Sequence, residues 1–261
     1  MIGGGLAVTS SDAAIDYLSL GLGNAPTLPG STSSGTLNVS GGTLTFNSAL
    51  QVGDFGGTGT VTQTAGNVVF GMPGTPVSLN IGNQGGTGTF NVANGTLFIG
   101  SNVTSTGSQG TGTINQTGGT LAIGSASRLF LAAAGNGTYN LSGGTPQIGG
   151  SSLFGDFNNL GGTYAFNLGG GTIQVVGSAL SAGVNATLVG GTTSTIDTNG
   201  MGATWSGVLS GSGALAKAGN GVLTLSGQNT FTGPTNVRNG VLNLTGSLQS
   251  PVDVEANGTL G

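Results

Sequence analysis

Apolar and polar residues alternate along this chain in short runs, and the runs recur. The unit Gly-Thr-apolar-x-apolar starts at Gly35, Gly59, Gly88, Gly112, Gly137 and Gly162, at spacings of 24, 29, 24, 25 and 25 residues. Seven residues after each of the first five starts stands a glycine: Gly42, Gly66, Gly95, Gly119 and Gly144. Two residues further come Leu44, Val68, Leu97, Leu121 and Pro146, and two beyond those Phe46, Phe70, Ile99, Ile123 and Ile148. The sixth copy slips by about two residues at Gly169-Gly170-Gly171 and resumes at Thr172-Ile173. Self-similarity at a fixed period of this size marks a repeat architecture.

Each unit reads as two short strands joined by a glycine corner. In the first strand, alternation puts Leu37, Val61, Phe90, Ile114, Tyr139 and Tyr164 on one face. Val39, Gln63, Val92, Gln116, Leu141 and Phe166 follow on the same face, and Asn38, Thr62, Asn91, Asn115, Asn140 or Ala165 lies between. Period-two alternation with one apolar face predicts half-buried strands. Gly-Gly pairs supply the positive φ that sharp turns require. Helical periodicity is confined to Ser11 to Leu20. One such unit cannot bury its apolar face alone, but stacked copies can. The prediction is an all-β, single-stranded, right-handed parallel β-helix (a β-solenoid) of about 25 residues per rung, the hand following the rule for parallel crossovers. At a strand spacing of roughly 4.8 Å, about ten rungs make a rod on the order of 50 Å long. The amides of Gln63 and Gln116, on the inward row, are expected to pair within the rod or to sit near a corner.

Composition narrows the function. The 261 residues include 57 glycines, seven acidic and three basic side chains, and neither His nor Cys. Thiolate chemistry, His-dependent triads and ordinary zinc or copper sites are excluded within this sequence, and no cofactor is expected. Three cations do not make a phosphate-tracking surface, so nucleic acid is not a partner. The longest apolar run, Leu129 to Ala134, is far below the roughly 20 residues of a membrane-spanning helix. The start, Met1-Ile2-Gly3-Gly4-Gly5, lacks the basic n-region of a signal peptide.

From Gly207 the pattern changes. The run Gly207 to Leu244 resembles the passenger-associated transport repeat, also called the autotransporter-associated β-strand repeat. Lys217, Gly219, Gly221, Leu223, Leu225, Gly227, Asn229, Phe231, Gly233, Val237, Gly240 and Leu242 carry the resemblance, and Pro234 departs from it. The Gly/Thr-rich units upstream resemble, more weakly, repeats that accompany this element in large bacterial surface proteins. The resemblance implies a β-helical passenger that is secreted or held at the cell surface, with an outer-membrane β-barrel translocator elsewhere in the protein. A Cys-free, charge-poor chain suits that threaded export. The expected organisation is the end of a preceding rung over 1–8, an irregular loop or protrusion over 9–34, and solenoid repeats over 35–206. The transport repeat occupies 207–244, and further, truncated rungs begin over 245–261. Neither end reads as a natural terminus, so a fragment is expected, whose uncapped ends offer end-to-end self-association.

The sharper functions are weaker. A β-helical polysaccharide lyase or hydrolase needs paired carboxylates. Asp54 and Asp156, both in Gly-Asp-Phe, lie four repeats or about 19 Å apart. Asp12, Asp16, Asp197, Asp253 and Glu255 are scattered, Asp12 and Asp16 sharing a face only on a helix. Calcium-binding toxin repeats need an Asp every nine residues, which is absent. Thr58-Gly-Thr60, Thr87-Gly-Thr89 and Thr111-Gly-Thr113 suggest an ice-binding array, but Thr36 and Thr138 lack a threonine two residues earlier. The row Phe90, Tyr139 and Tyr164 would be a sugar platform if it faced outward, and its alternation places it inward. Lys217 and Arg238, 21 residues apart, are about one rung apart and are read as a small basic spot. A ligand contact is expected only in 9–34, around Pro26 and Pro29. The sequence therefore reads as a non-catalytic stalk for extension, display and adhesion to a host cell or glycan. The runner-up is the scaffold of a carbohydrate-active enzyme with its catalytic part elsewhere, and a lesser alternative is an ice-binding solenoid.

Overall fold

A computed structural model describes residues 5–9, 12–23, 33–71, 77–100, 103–125 and 127–261. The period-two runs are strands, paired in parallel with the equivalent run one turn of the coil away, and the whole is a parallel β-helix. Each rung contributes three strand segments, not the two expected. The first ladder runs through Leu37, Val61, Phe90, Ile114 and Tyr139 in register. The second runs through Phe46, Phe70 and Ile99. The third joins Leu20, Val52 and Ile81, then Arg128–Ala132 and Leu153–Asp156. Its signal is a shorter alternation, Leu50-Gln51-Val52 or Leu79-Asn80-Ile81, easily passed over because it lacks the Gly-Thr start. Ten successive pairings carry the second ladder from Ala13–Leu22 to Val252–Leu260, about 50 Å at ~4.8 Å each. Among the described residues no helix is long and apolar enough to cross a membrane.

The core is a thin thread of side chains from all three ladders, with Leu37, Leu44 and Leu50 fully buried in one rung. Each such burial contributes about 1.5–3 kcal/mol. Aromatic side chains stack along the axis: Phe46 on Phe70 at 4.9 Å, Tyr139 on Phe166 at 5.0 Å. Gln63 and Gln116 are buried at the expected corners. Gln63 donates to the carbonyls of Gly66 and Thr96, and Gln116 donates to Gly119 while accepting from the Tyr139 hydroxyl. On the outside, Asn167 donates to Asn140, Asn140 to Asn115 and Asn115 to Asn91, at 2.8, 2.8 and 2.9 Å. This amide ladder locks register where the apolar face alone would tolerate a slip.

That ladder corrects the sixth repeat. Tyr139 pairs with Phe166 and Gly137 with Tyr164, so Tyr164 and Ala165 do not occupy the rows assigned to them. The extra residues enter before the strand rather than after it: the step from Asp156 to Tyr164 is eight residues where that from Ala132 to Gly137 is five, three more. Tyr164 therefore stands in the column of Gly59, Gly88, Gly112 and Gly137. In that column a Cβ on Gly137 would lie 1.4 Å from the Leu131 carbonyl oxygen, which is why glycine is required. At the sixth rung the sizes invert. Continuing the third-ladder register from Leu129–Leu153 and Phe130–Phe154, Gly155 falls opposite Leu131. The Tyr164 ring lies against Gly155, where even a Cβ would come within 2.3 Å of it.

Two further expectations change. Gly5–Val8 pairs with Thr36–Val39 as a first-ladder strand rather than closing a rung. Within 9–34, Ala13–Leu22 is not a protrusion or helix but a strand whose Ala13–Ile15 pairs with Leu44–Phe46 and whose Tyr17–Leu22 pairs with Ala49–Asp54. A register shift between Ile15 and Tyr17 breaks its alternation, and the break imitates a helical period. Asp12 accepts from the Thr43 amide and Asp16 from Asn47, each reaching to the next rung. Pro26, Pro29 and Met1 to Gly4 lie outside the described residues.

Candidate functional site

In the last rungs, the polar residues of the transport-repeat pattern turn inward. Lys217 lies on the inner face between Ile196 of the rung before and Val237 of the rung after, and it is fully buried. Its ammonium donates to Thr198 Oγ1 at 3.1 Å, the Ala218 and Gly219 carbonyls at 2.8 and 2.7 Å, and the Asn239 carbonyl at 2.9 Å. Three N–H groups thus serve four oxygens on three successive rungs. Burial pulls the ammonium down to about 8, and the nearby Asp197 carboxylate pulls partly back. Asn229 does the same with an amide. Its Oδ1 accepts from the Leu209 amide at 3.0 Å, and its Nδ2 donates to Gly227 and Ser247 at 3.1 and 3.2 Å.

The remaining pattern residues build the cage around these two. Leu223, Leu225, Phe231, Val237 and Leu242 are fully buried. Gly219 and Gly240 adopt φ of +75° and +70°, the left-handed region that glycine enters without cost. A Cβ on Gly221, Gly227 or Gly233 would meet a backbone oxygen of an earlier rung at 1.6, 2.4 or 2.2 Å. All twelve residues are thereby brought together in the packing of the last rungs.

Lys217 and Arg238 do not form a basic spot. Arg238 follows Val237, so its side chain leaves by the opposite face, where Nε lies 3.8 Å from Glu255 Oε1 with both side chains about half exposed. Such a pair contributes at most about 1 kcal/mol. The carboxylates also remain apart. The third ladder steps from Asp54 past Asn83, and Asp156 pairs with Ala132, leaving four rungs or about 19 Å between them. Asp54 is buried, accepts from Asn83 at 2.9 Å and Ser19 at 3.4 Å, and is pushed up chiefly by that burial. Among the described residues, no group of three or more acidic side chains could hold a metal ion. The threonines stand outside in two files, Thr58–Thr87–Thr111 and Thr36–Thr60–Thr89–Thr113–Thr138. Phe90 and Tyr139 are buried, as their alternation required.

Comparison with known proteins agrees with this geometry. Residues 215–244 match the profile of the passenger-associated-transport-repeat, so the chain carries that repeat. The chain is 50% identical over 56 residues to an extracellular serine protease of Serratia marcescens, and 45% identical over 56 residues to a second protein of that name and organism. Each match covers 22% of this chain and only 5% of the relative's length. No solved structure matches.

Proposed function

Taking the transport repeat at residues 215–244 as the premise, we propose that this chain is a structural β-solenoid segment of an exported bacterial passenger. Its role is extension and display outside the cell, including the presentation of adhesive surface, and it performs no catalysis itself. The observation that carries the reading is the pair Lys217 and Asn229. The two conspicuous polar residues of the repeat face no cleft, and each ties three consecutive rungs, Asn229 through main-chain groups alone and Lys217 through three carbonyls and the Thr198 hydroxyl. That is the work of a fold-holding element. A β-helix that zips up rung by rung gains from a segment whose rungs cannot pair out of register, because nearest-neighbour interfaces supply solenoid stability. The relatives are named proteases, but this sequence has no His, so a serine triad cannot be assembled from its own residues. Any enzyme in the whole protein would be carried by the rod as cargo.

The test is export of the full-length protein with an epitope tag placed upstream of residue 5. Removing residues 215–244 should lower surface display several-fold, as destabilised proteins lose abundance, while the transcript level is unchanged. Undiminished display of the shortened protein would contradict the reading.

A further inference from the structure

The inverted sixth rung leaves an opening in the wall of the rod. Leu153–Asp156 pairs with Arg128–Ala132 on one side. On its other side the next third-ladder segment, Leu180–Ala182, pairs with Ala203–Trp205 and reaches back only through Leu180, which is paired with Gly150 across an irregularity. Among the described residues no strand takes the free edge of Leu153–Asp156. An open cleft of about 430 Å³ lies there, lined among others by Phe154, Asp156, Asn159, Tyr164, Ser181 and Ser206. A second cleft of about 340 Å³ lies beyond the same Tyr164, which is common to both linings.

The lining has a definite chemistry. Phe154 stacks on Phe130 of the rung before at 5.0 Å, which fixes its ring. Tyr164 is held by Gly155 beneath its ring and by the Asn185 amide, which donates to its hydroxyl at 3.2 Å. Two anchored, half-buried aromatic rings therefore border one cleft. The exposed Asn159, Ser181 and Ser206 line the same cleft, small groups able to donate and to accept. Asp156 is a positioning residue: its Oδ2 accepts from the Gly161 and Gly162 amides at 2.9 and 3.2 Å and so holds the turn that carries Asn159. Arg128 of the rung before lies over the Phe154 ring, its guanidinium carbon 5.5 Å from the centroid. No Lys or Arg is among the residues that line the cleft, so the lining itself offers no cation to a phosphate, sulfate or carboxylate.

We propose that this cleft binds a neutral saccharide, with pyranose C–H faces against Tyr164 and Phe154 and ring hydroxyls hydrogen-bonded to Asn159, Ser181 and Ser206. Rings that are apolar on one face and hydroxylated at the edge match a lining that carries both aromatic rings and hydroxyl and amide groups. With a single carboxylate, already engaged by two amides, the cleft binds and does not cleave. The inference goes beyond the stalk reading and does not depend on it: binding is measured on the purified chain and export in cells, so either can fail alone.

The experiment is calorimetric titration of the chain with cellohexaose, maltohexaose, mannohexaose and hexagalacturonate. At least one neutral hexasaccharide should bind with a dissociation constant on the order of 10⁻⁴ to 10⁻³ M, and the charged one should not. Tyr164→Ala should weaken binding at least about tenfold, the equivalent of roughly 1.4 kcal/mol, while Tyr164→Phe retains it. Because Tyr164→Ala could disturb the rung, Ser181→Trp provides a second reading: it fills the cleft from an exposed position and should abolish binding without moving the unfolding midpoint. Absence of binding by all three neutral probes overturns the proposal. So does binding that survives both Tyr164→Ala and Ser181→Trp, or binding of the galacturonate alone. Insertion of an extended peptide at the free strand edge, seen as a peptide displacing bound saccharide without itself requiring Tyr164, would likewise assign the cleft to another ligand class.

Discussion

Lys217→Met is expected to destabilise the last rungs by about 2 kcal/mol. Methionine nearly fills the volume of the lysine stem and removes the charge, so packing is little changed and the hydrogen bonds are isolated. Four oxygens then lose their shared donor, and a buried acceptor left without a partner costs about 1–3 kcal/mol. The Ala218 carbonyl keeps a bond from the Thr198 amide, which softens the loss there. Freedom from burying an ammonium offsets some of the rest. Thr198 Oγ1 likewise keeps the Gly221 amide, but the sign is nevertheless destabilising, because the Gly219 and Asn239 carbonyls are main chain on two successive rungs and cannot both turn to water.

The same lysine fixes a pH dependence. Its folded value, about 8, lies below the usual lysine value of 10.5. Between these the unfolded chain binds more protons than the folded one, so stability rises with pH through that window. Tyr139 opposes it higher up. Burial raises its phenol above the usual 10.0, so the folded chain keeps a proton that the unfolded chain releases, and stability falls once pH passes about 10. The rise is therefore read between pH 8 and 10 by denaturant midpoints, and it should vanish in Lys217→Met. A variant as stable as the parent, or a parent whose stability does not rise with pH in that window, would show that the caged ammonium is incidental.

The second large effect is at Gly137. Its Cβ position overlaps the Leu131 carbonyl oxygen at 1.4 Å, and that oxygen is main chain, unable to swing aside. Gly137→Ala must push neighbouring ladders of the coil apart, and overpacking of this kind costs about 3 kcal/mol. Gly202→Ala is the matched control, since the nearest atom to its Cβ is the Ala179 methyl at 3.8 Å and its φ is ordinary. The control should stay within about 0.5 kcal/mol of the parent. In a solenoid each rung contacts its neighbours, so damage should be local. Hydrogen exchange of the amides from Leu131 to Leu141 should accelerate in Gly137→Ala, while exchange in the rungs beyond Val222 stays unchanged. Uniform loss of protection, or none, would contradict this picture.

Much of the rod is legible in the sequence because its physics is periodic. Inward Leu37, Val61, Phe90 and Ile114 obey the period of two, and Gln63 and Gln116 can be placed at corners because a buried amide needs main-chain partners. The sixth rung misleads because Gly162-Thr163 imitates the repeat start in a glycine-rich chain. Alignment on the amide ladder gives the correct register: Phe90-Asn91, Ile114-Asn115, Tyr139-Asn140 and Phe166-Asn167. Asn is the better guide, since its side chain must meet its equivalent on the adjacent rung whereas a turn glycine has no such partner. The third strand escapes notice because it has no recurring start. The cleft cannot be seen at all from the sequence, for it depends on Tyr164 and Gly155 exchanging sizes across two ladders. Lys217 and Asn229 are recognisable as pattern residues, but their inward direction and three-rung reach follow only from the register.

The most direct test of the account is a disulfide across the sixth rung, in a chain that has no cysteine of its own. Thr138 pairs with Ala165, and neighbouring strands at ~4.8 Å suit the 4.4–6.8 Å between bridged Cα atoms. A displacement of two residues along the strand takes the pair to roughly 8 Å, beyond that range. Under mild oxidation, Thr138→Cys with Ala165→Cys should cross-link rapidly, and Thr138→Cys with Thr163→Cys should not. Preferential cross-linking of the second pair would place Gly162 rather than Tyr164 in the glycine column, and both the inverted rung and its cleft would fall with it.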